Sequence, residues 1–246
     1  MYGRKIFGGD CMLIRGLQKM TLLDFPGKIA CTVFLGGCNF RCPFCHNGSL
    51  VLPEAGGDAI SVEELFAFLD SRVGRLQGVC VSGGEPTLHS DLPWLLSKIK
   101  ARGYAVKLDT NGTNPKMLAS LIAGGLVDYV AMDIKNSLGR YKETAGLNRS
   151  SASESDLLEA VRQSAELLMS GGVDFEFRTT LVRELHTEAD IKEIGRWLCG
   201  EEKFFLQTYR DEGDLLVGGF SAFTKDETIH LLNILKSYVP NAEIRG

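Results

Sequence analysis

The 246-residue chain has no apolar run of roughly 18 residues, so no membrane-spanning helix is expected. The best candidate, Leu121 to Met132, is interrupted by Gly124, Gly125 and Asp128. Met1 to Gly16 lacks the apolar core of a secretion signal. Positive charge is not in excess: 27 Lys and Arg against 31 Asp and Glu give a formal net charge of −4. That balance offers no electrostatic footprint for nucleic acid or an anionic membrane. The seven cysteines are an odd count, which suits a disulfide framework poorly. Internal repeats, low-complexity tracts and long linkers are also missing. Together these absences predict a cytoplasmic protein without nucleic-acid or membrane partners.

Apolar residues make up 44% of the chain and charged residues 24%, enough apolar surface to offset chain entropy, so a disordered chain is excluded. A core can form without covalent staples at this length. The size fits one large α/β domain or two small ones.

Short apolar, β-branched runs alternate with helical patterns. Ile29–Leu35, Gly78–Ser82, Ala105–Leu108, Val127–Met132, Asp174–Thr180 and Lys203–Thr208 read as buried parallel strands. Ser61 and Glu64 form one capping box, and Thr224 and Glu227 another. Helices are expected from Ser61 to about Val73, over Leu92–Ala101, from near Pro115, over Glu154–Met169 and Glu188–Cys199, and from Thr224 to about Tyr238. Six βα units result. They predict a parallel sheet, either barrel-like with two of eight units missing or doubly wound. The connection Asn136 to Ser153 reads either as a mobile loop on the functional face or as a solvated linker.

Ligands of parallel α/β folds sit at the C-terminal strand ends, and the unusual residues fall there. The first strand is followed by Gly36-Gly37-Cys38-Asn39-Phe40-Arg41-Cys42-Pro43-Phe44-Cys45-His46. Later ends carry Ser82-Gly83-Gly84-Glu85-Pro86, Asp109-Thr110-Asn111-Gly112, Met132-Asp133-Ile134-Lys135, Arg178-Thr179-Thr180 and Gln207-Thr208-Tyr209-Arg210. Three thiols spaced C-x3-C-x2-C place three ligands on one small object. A cubane iron–sulfur cluster takes four, which leaves one iron open to a chelating small molecule. The alternative is a structural zinc ion with His46 as fourth ligand. Cys31 and Cys80 lie inside strands and read as small buried hydrophobes, while Cys11 and Cys199 show no pairing pattern.

The cysteine spacing, with Phe44 before the last thiol, resembles the signature of the radical S-adenosylmethionine (SAM) superfamily. Gly83-Gly84-Glu85-Pro86 resembles that superfamily's SAM-binding turn. The resemblance implies a partial (β/α)6 barrel of TIM type over 29–246, preceded by an N-terminal extension, 1–28, in a single domain. It implies a 4Fe-4S cluster on Cys38, Cys42 and Cys45, with SAM chelating the fourth iron. Gly83 and Gly84 would let the backbone approach the methionyl amine. Glu85 would support that amine, or else simply cap the turn. Asp109 and Thr110 match a turn of pyruvate formate-lyase activating enzyme. By that likeness they, with Asp133 and the Ala131 carbonyl, would hold a monovalent cation beside SAM; a plain tight turn is the alternative. Lys135 would hold the SAM carboxylate and Arg178 the same ligand or the substrate, unless either is a solvated charge. Phe44 and His46 would contact adenine.

The stretch Gly16-Leu17-Gln18-Lys19-Met20-Thr21-Leu22-Leu23-Asp24-Phe25-Pro26-Gly27-Lys28 is similar to the activating proteins of anaerobic ribonucleoside-triphosphate reductase, as is Val239 to Gly246. That branch implies an oxidoreductase reduced by a flavodoxin or ferredoxin. It would cleave SAM and generate a glycyl radical on its partner reductase. A radical SAM enzyme for another glycyl radical enzyme, peptide or small molecule shares every site residue, and a non-catalytic metal-binding module is the reading from a different class. No acid–base side chain is expected in the chemistry, which belongs to the cofactor.

Overall fold

The computed structural model describes residues 12–51, 59–147, 153–200, 203–211 and 215–246. Cys11 and 148–152 of the polar connection lie outside the described residues. Along the chain run β1 (Ile14–Thr21), β2 (Ala30–Leu35), α1 (Gly48–Val51), α2 (Val62–Asp70), β3 (Gly78–Gly83), α3 (Leu92–Lys100), β4 (Ala105–Thr110) and α4 (Pro115–Ala123). There follow β5 (Tyr129–Asp133), α5 (Tyr141–Thr144), α6 (Ser153–Met169), β6 (Asp174–Leu181), α7 (Glu188–Trp197), β7 (Phe204–Thr208), α8 (Lys225–Lys236) and β8 (Glu243–Arg245).

All eight strands form one sheet in chain order, β1 to β8. Only β1 runs antiparallel to its neighbour, and each later pair is parallel. A doubly wound sheet needs a reversal of strand order, and none occurs. Crossovers of one hand that never reverse curl the sheet into an open barrel. The six predicted strands are all present. Two were missed. β1 lies inside the segment expected to be a mere extension, and Gln18, Lys19 and Met20 in a row are exposed, which blurs the alternation that marks a strand. β8 has three residues and is held by Arg245, whose guanidinium meets both oxygens of buried Glu176 at 2.7 and 3.1 Å.

Alternate strand residues divide the sheet into two faces. Val79, Val81, Val106, Leu108, Val130 and Met132 join the main core together with Leu92, Leu95, Leu96 and Ile99 of α3. The opposite face carries Cys80, Lys107, Asp109, Tyr129 and Glu176, joined within β4 and between adjacent strands: Lys107 to Asp109 and Cys80, and Tyr129 to Glu176. Both expected capping boxes are present: Glu64 N–H donates to Ser61 Oγ at 3.1 Å and Ser61 N–H to Glu64 Oε2 at 2.8 Å, with Thr224 and Glu227 paired likewise. Each such cap is worth about 1 kcal/mol.

The Leu22 to Lys28 turn sits at the start of β2, away from the cysteine loop. Thr21 Oγ1 accepts from the N–H groups of Leu23 and Asp24, both at 3.2 Å, and Phe25 packs with Ala30 and Tyr129 in a small separate core. This stretch therefore closes one end of the barrel. No helix among the described residues is long and apolar enough to cross a membrane.

Candidate active site

At the C-terminal strand ends lies a cavity of about 240 Å³. The strand ends feed it because the loops that leave the C-terminal ends of parallel barrel strands gather at one mouth. Cys38, Cys42 and Cys45 line it, together with Phe44, Gly83, Gly84, Asp109, Asp133, Lys135 and Arg178. His46 and Thr110 line it too, so of the fourteen residues expected at the site only Glu85 and Ala131 are not among the lining residues.

The cysteine loop is clamped on three sides. Gly36 N–H donates to Leu13 O at 2.8 Å, Gly37 N–H to Leu50 O at 2.7 Å, and Arg41 N–H to Ala145 O at 2.9 Å. The third contact comes from the long connection after β5, of which 136–147 is built against the functional face. Gly146 has φ +64°, and a Cβ there would lie 2.0 Å from Arg41 O, so only glycine permits this approach. Tyr141, fully buried, packs edge-on against Phe40.

Gly83 and Gly84 serve the same loop. A Cβ on Gly84 would lie 2.0 Å from Gly37 O and 3.1 Å from Cys38 Cβ, and one on Gly83 would lie 2.1 Å from Leu35 O. The two glycines bring the β3 end flush against the strand and loop that carry Cys38. Glu85 N–H donates to Gly37 O at 2.8 Å.

Glu85 is fully buried and is not among the residues that line the cavity. Oε1 accepts from Thr87 N–H at 3.0 Å, Thr87 Oγ1 at 2.5 Å and Thr110 Oγ1 at 2.8 Å, and Oε2 accepts from Asn111 N–H at 2.6 Å. Burial pushes its carboxyl up in pKa while these four donors pull it down. It pins the β3 and β4 turns together, and so matches the turn-capping alternative.

Asp109, Asp133 and Lys135 form a charge chain with Arg178 and buried Lys107. Lys107 Nζ bonds Asp109 Oδ1. Arg178 Nη1 lies 3.3 Å from Asp109 Oδ2, and its Nε lies 2.8 Å from Asp133 Oδ1. Lys135 Nζ completes the chain at 3.0 Å from Asp133 Oδ2. Burial disfavours the charged carboxylates, yet the Arg178 guanidinium and the lysines hold both below the usual range. The same carboxylates raise Arg178 and Lys135. Arg178 lines the cavity and bridges the two carboxylates expected to hold a monovalent cation. Ala131, the expected carbonyl donor, sits in the ladder opposite Asp109.

Do the thiols suit a cluster? Burial pushes Cys38 up to about 11 and Cys42 to about 12. Burial raises Cys31 and Cys80 in the same way, so it is the placement of the three thiols at the cavity that sets them apart. Among the described residues no three His, Cys, Asp or Glu side chains gather as ligands of one ion. The sulfurs instead border a cavity, as a cubane requires, because each thiolate binds a different iron. His46, the fourth ligand of the zinc alternative, donates from Nε2 to Arg210 O at 2.5 Å and packs on Tyr209. These residues fit an iron–sulfur cluster better than a single zinc ion.

Four further residues contribute, of which only His186 lies outside the strand-end segments noted in the sequence. Thr180 and Gln207 line the mouth. His186, buried, donates from Nε2 to Lys135 O at 2.9 Å and accepts Val182 N–H on Nδ1 at 3.1 Å, which fixes the backbone that carries Lys135. Asn111 lies in the turn already noted after β4, so its motif was visible but its contacts were not. Cys31 and Cys80 are fully buried strand residues as expected.

A family model described as the Radical SAM superfamily matches residues 32–198. A Methanocaldococcus jannaschii protein whose name places it with the glycyl-radical enzyme activating enzymes is 31% identical over 236 residues, 95% of each chain. The pyruvate formate-lyase-activating enzyme of Clostridium pasteurianum is 33% identical over 131 residues, 50% of this chain and 52% of that one. Streptococcus suis SuiB bound to S-adenosylmethionine shares the fold, with a TM-score of 0.66 at 15% identity over 85% of this chain; the match spans 48% of SuiB. The chain belongs to the radical SAM superfamily and, within it, to the family of glycyl-radical enzyme activating enzymes.

Proposed function

We propose that this protein is the activase of an anaerobic ribonucleoside-triphosphate reductase, holding a 4Fe-4S cluster on Cys38, Cys42 and Cys45 and SAM on the open iron. When bound, the pair supplies a one-electron reductive cleavage of a sulfonium and a carbon radical able to take hydrogen from a glycine Cα. The observation that carries the reading is the single cavity that gathers three thiols, a glycine edge and a fixed charge chain. The full-length likeness to a glycyl-radical activating enzyme supports the partner class, and the resemblance of the Gly16 to Lys28 and Val239 to Gly246 segments supports the reductase.

Each residue then has one task. Gly83 and Gly84 present a backbone edge at the cluster side. Lys135 offers its ammonium to the SAM carboxylate, held upright by Asp133. Phe44 supplies an apolar wall for adenine. Arg178 keeps Asp109 and Asp133 ionised and apart, and takes the place of the monovalent cation. A walled cavity keeps water from the radical and holds the target within about 3–3.5 Å. A flavodoxin or ferredoxin delivers the electron.

The test is anaerobic reconstitution followed by mixing with SAM, reduced flavodoxin and the reductase. The expected result is a glycine-type doublet in the electron paramagnetic resonance spectrum. A silent reductase beside intact cluster and cleaved SAM overturns the choice of partner, as does product formed from a small molecule with no protein partner present.

A further inference from the structure

The turn after β4 carries a side chain with no task in the scheme above. Asn111 is buried and borders the cavity. Its Oδ1 accepts from Thr113 N–H at 3.0 Å and from Thr113 Oγ1 at 2.7 Å. A backbone N–H can only donate, so the oxygen faces Thr113 and the amide nitrogen faces the cysteine loop. That nitrogen donates to Asn39 Oδ1 at 2.9 Å, and Asn39 Nδ2 donates to Thr113 Oγ1 at 2.8 Å. The three side chains close a ring in which every donor and acceptor points the same way round, an arrangement that strengthens each bond.

The Asn111 amide has two hydrogens. One goes to Asn39. The other is left for Cys38 Sγ, 4.0 Å from the nitrogen. Phe40 N–H reaches the same sulfur at 3.4 Å. Among the described residues, no N–H donor bonds the sulfur of Cys42 or Cys45, so the polarity around the three thiols is uneven. Asn111 is itself anchored by its backbone N–H on Glu85, and Glu85 is tied to Gly37 beside Cys38. Both the sulfur and the amide that faces it therefore hang on one rigid frame.

We propose that Asn111 is a positioning residue which orients Cys38 and, by aiming an N–H at its sulfur, raises the reduction potential of the cluster bound there. The inference rests on reading Cys38, Cys42 and Cys45 as cluster ligands. Hydrogen bonds to ligating sulfur favour the more negative, reduced state, and they strengthen as the sulfur gains charge. The ring holds the amide against rotation, so the donor is present before reduction.

The test uses the full chain, reconstituted anaerobically and titrated without SAM while the reduced cluster is followed by paramagnetic resonance. At a potential near the wild-type midpoint, Asn111→Ala is expected to lower the ratio of reduced to oxidised cluster about tenfold, ~59 mV for a one-electron couple. Thr113→Val removes the ring hydroxyl but keeps the backbone N–H that orients Asn111; its ratio is expected to change less than about twofold, ~18 mV. An unchanged ratio in Asn111→Ala overturns the proposal, and so does an equal fall in Thr113→Val. Should Asn111→Ala hold too little iron to titrate, wild-type protein carrying nitrogen-15 only in asparagine side-chain amides decides. A nitrogen coupling to the reduced cluster is expected, and its absence overturns the proposal. A wild type that forms no cluster defeats the functional reading as well; a wild-type cluster whose potential ignores Asn111 defeats this inference alone.

Discussion

Removing Arg178 should turn a built-in cation into a vacancy that potassium can fill. The guanidinium makes two charge-assisted bonds, at 2.8 Å to Asp133 and 3.3 Å to Asp109. Bonds to charged groups contribute about 1.5–3 kcal/mol each. The longer one counts at the low end, and each carboxylate keeps a lysine partner. Arg178→Ala should therefore cost about 3 kcal/mol of stability at neutral pH. The sign with pH follows from the direction of the shifts. Both carboxyls are lowered in the folded protein, so their contribution is complete above the unfolded value of about 3.9 and fades as pH falls below it. The deficit of the variant should thus shrink under acid conditions, where the carboxyls take up protons. The assay is urea denaturation from pH 7 down to pH 3, paired with SAM binding in potassium chloride or choline chloride at equal ionic strength. Wild type should bind SAM alike in both salts, and the variant several-fold better in potassium. Potassium-dependent binding by the wild type, or a variant as stable as wild type at pH 7, refutes the assignment of Arg178.

Glu85→Gln keeps one acceptor oxygen but sets an NH2 against a buried donor such as the Asn111 N–H, and should cost about 1–3 kcal/mol in chemical denaturation; a loss of SAM affinity with stability intact would return Glu85 to the ligand site. Gly84→Ala forces its new Cβ onto Gly37 O, a backbone atom, so the cysteine loop must shift and iron bound per chain should fall by at least half; full iron loading contradicts the packing argument. Cys38→Ala, Cys42→Ala and Cys45→Ala should each abolish the cluster's charge-transfer absorbance, whereas Cys31→Ala and Cys80→Ala should keep it, since both are buried strand residues. A colourless Cys80→Ala protein that remains folded would contradict that division.

Local chemistry made much of the fold and site legible. Val79 to Val81 and Tyr129 to Met132 are buried on both faces of their strands, so they read as strands from composition alone. The C-x3-C-x2-C, Gly-Gly-Glu-Pro and Asp-Thr-Asn-Gly segments are contiguous, and each needs only its own loop to place it. The contacts that no single segment announces depend on register between strands far apart in the chain. Arg178 stands opposite Asp133 because β5 and β6 pair in that register, and nothing within either segment announces the partner. Glu85 gained its donors from Thr110 and Asn111 in another turn. The glycines at 83 and 84 answer to backbone atoms of the β2 end and cysteine loop rather than to a ligand alone. β1 was hidden by exposed residues on its outer edge, and β8 by having only three residues.

The most direct measurement is Mössbauer spectroscopy of anaerobically reconstituted, iron-57-labelled protein with and without SAM. With three thiol ligands, about a quarter of the iron signal should move when SAM is added, the rest staying fixed. Protein that holds only zinc, or a cluster whose irons all ignore SAM, contradicts the account.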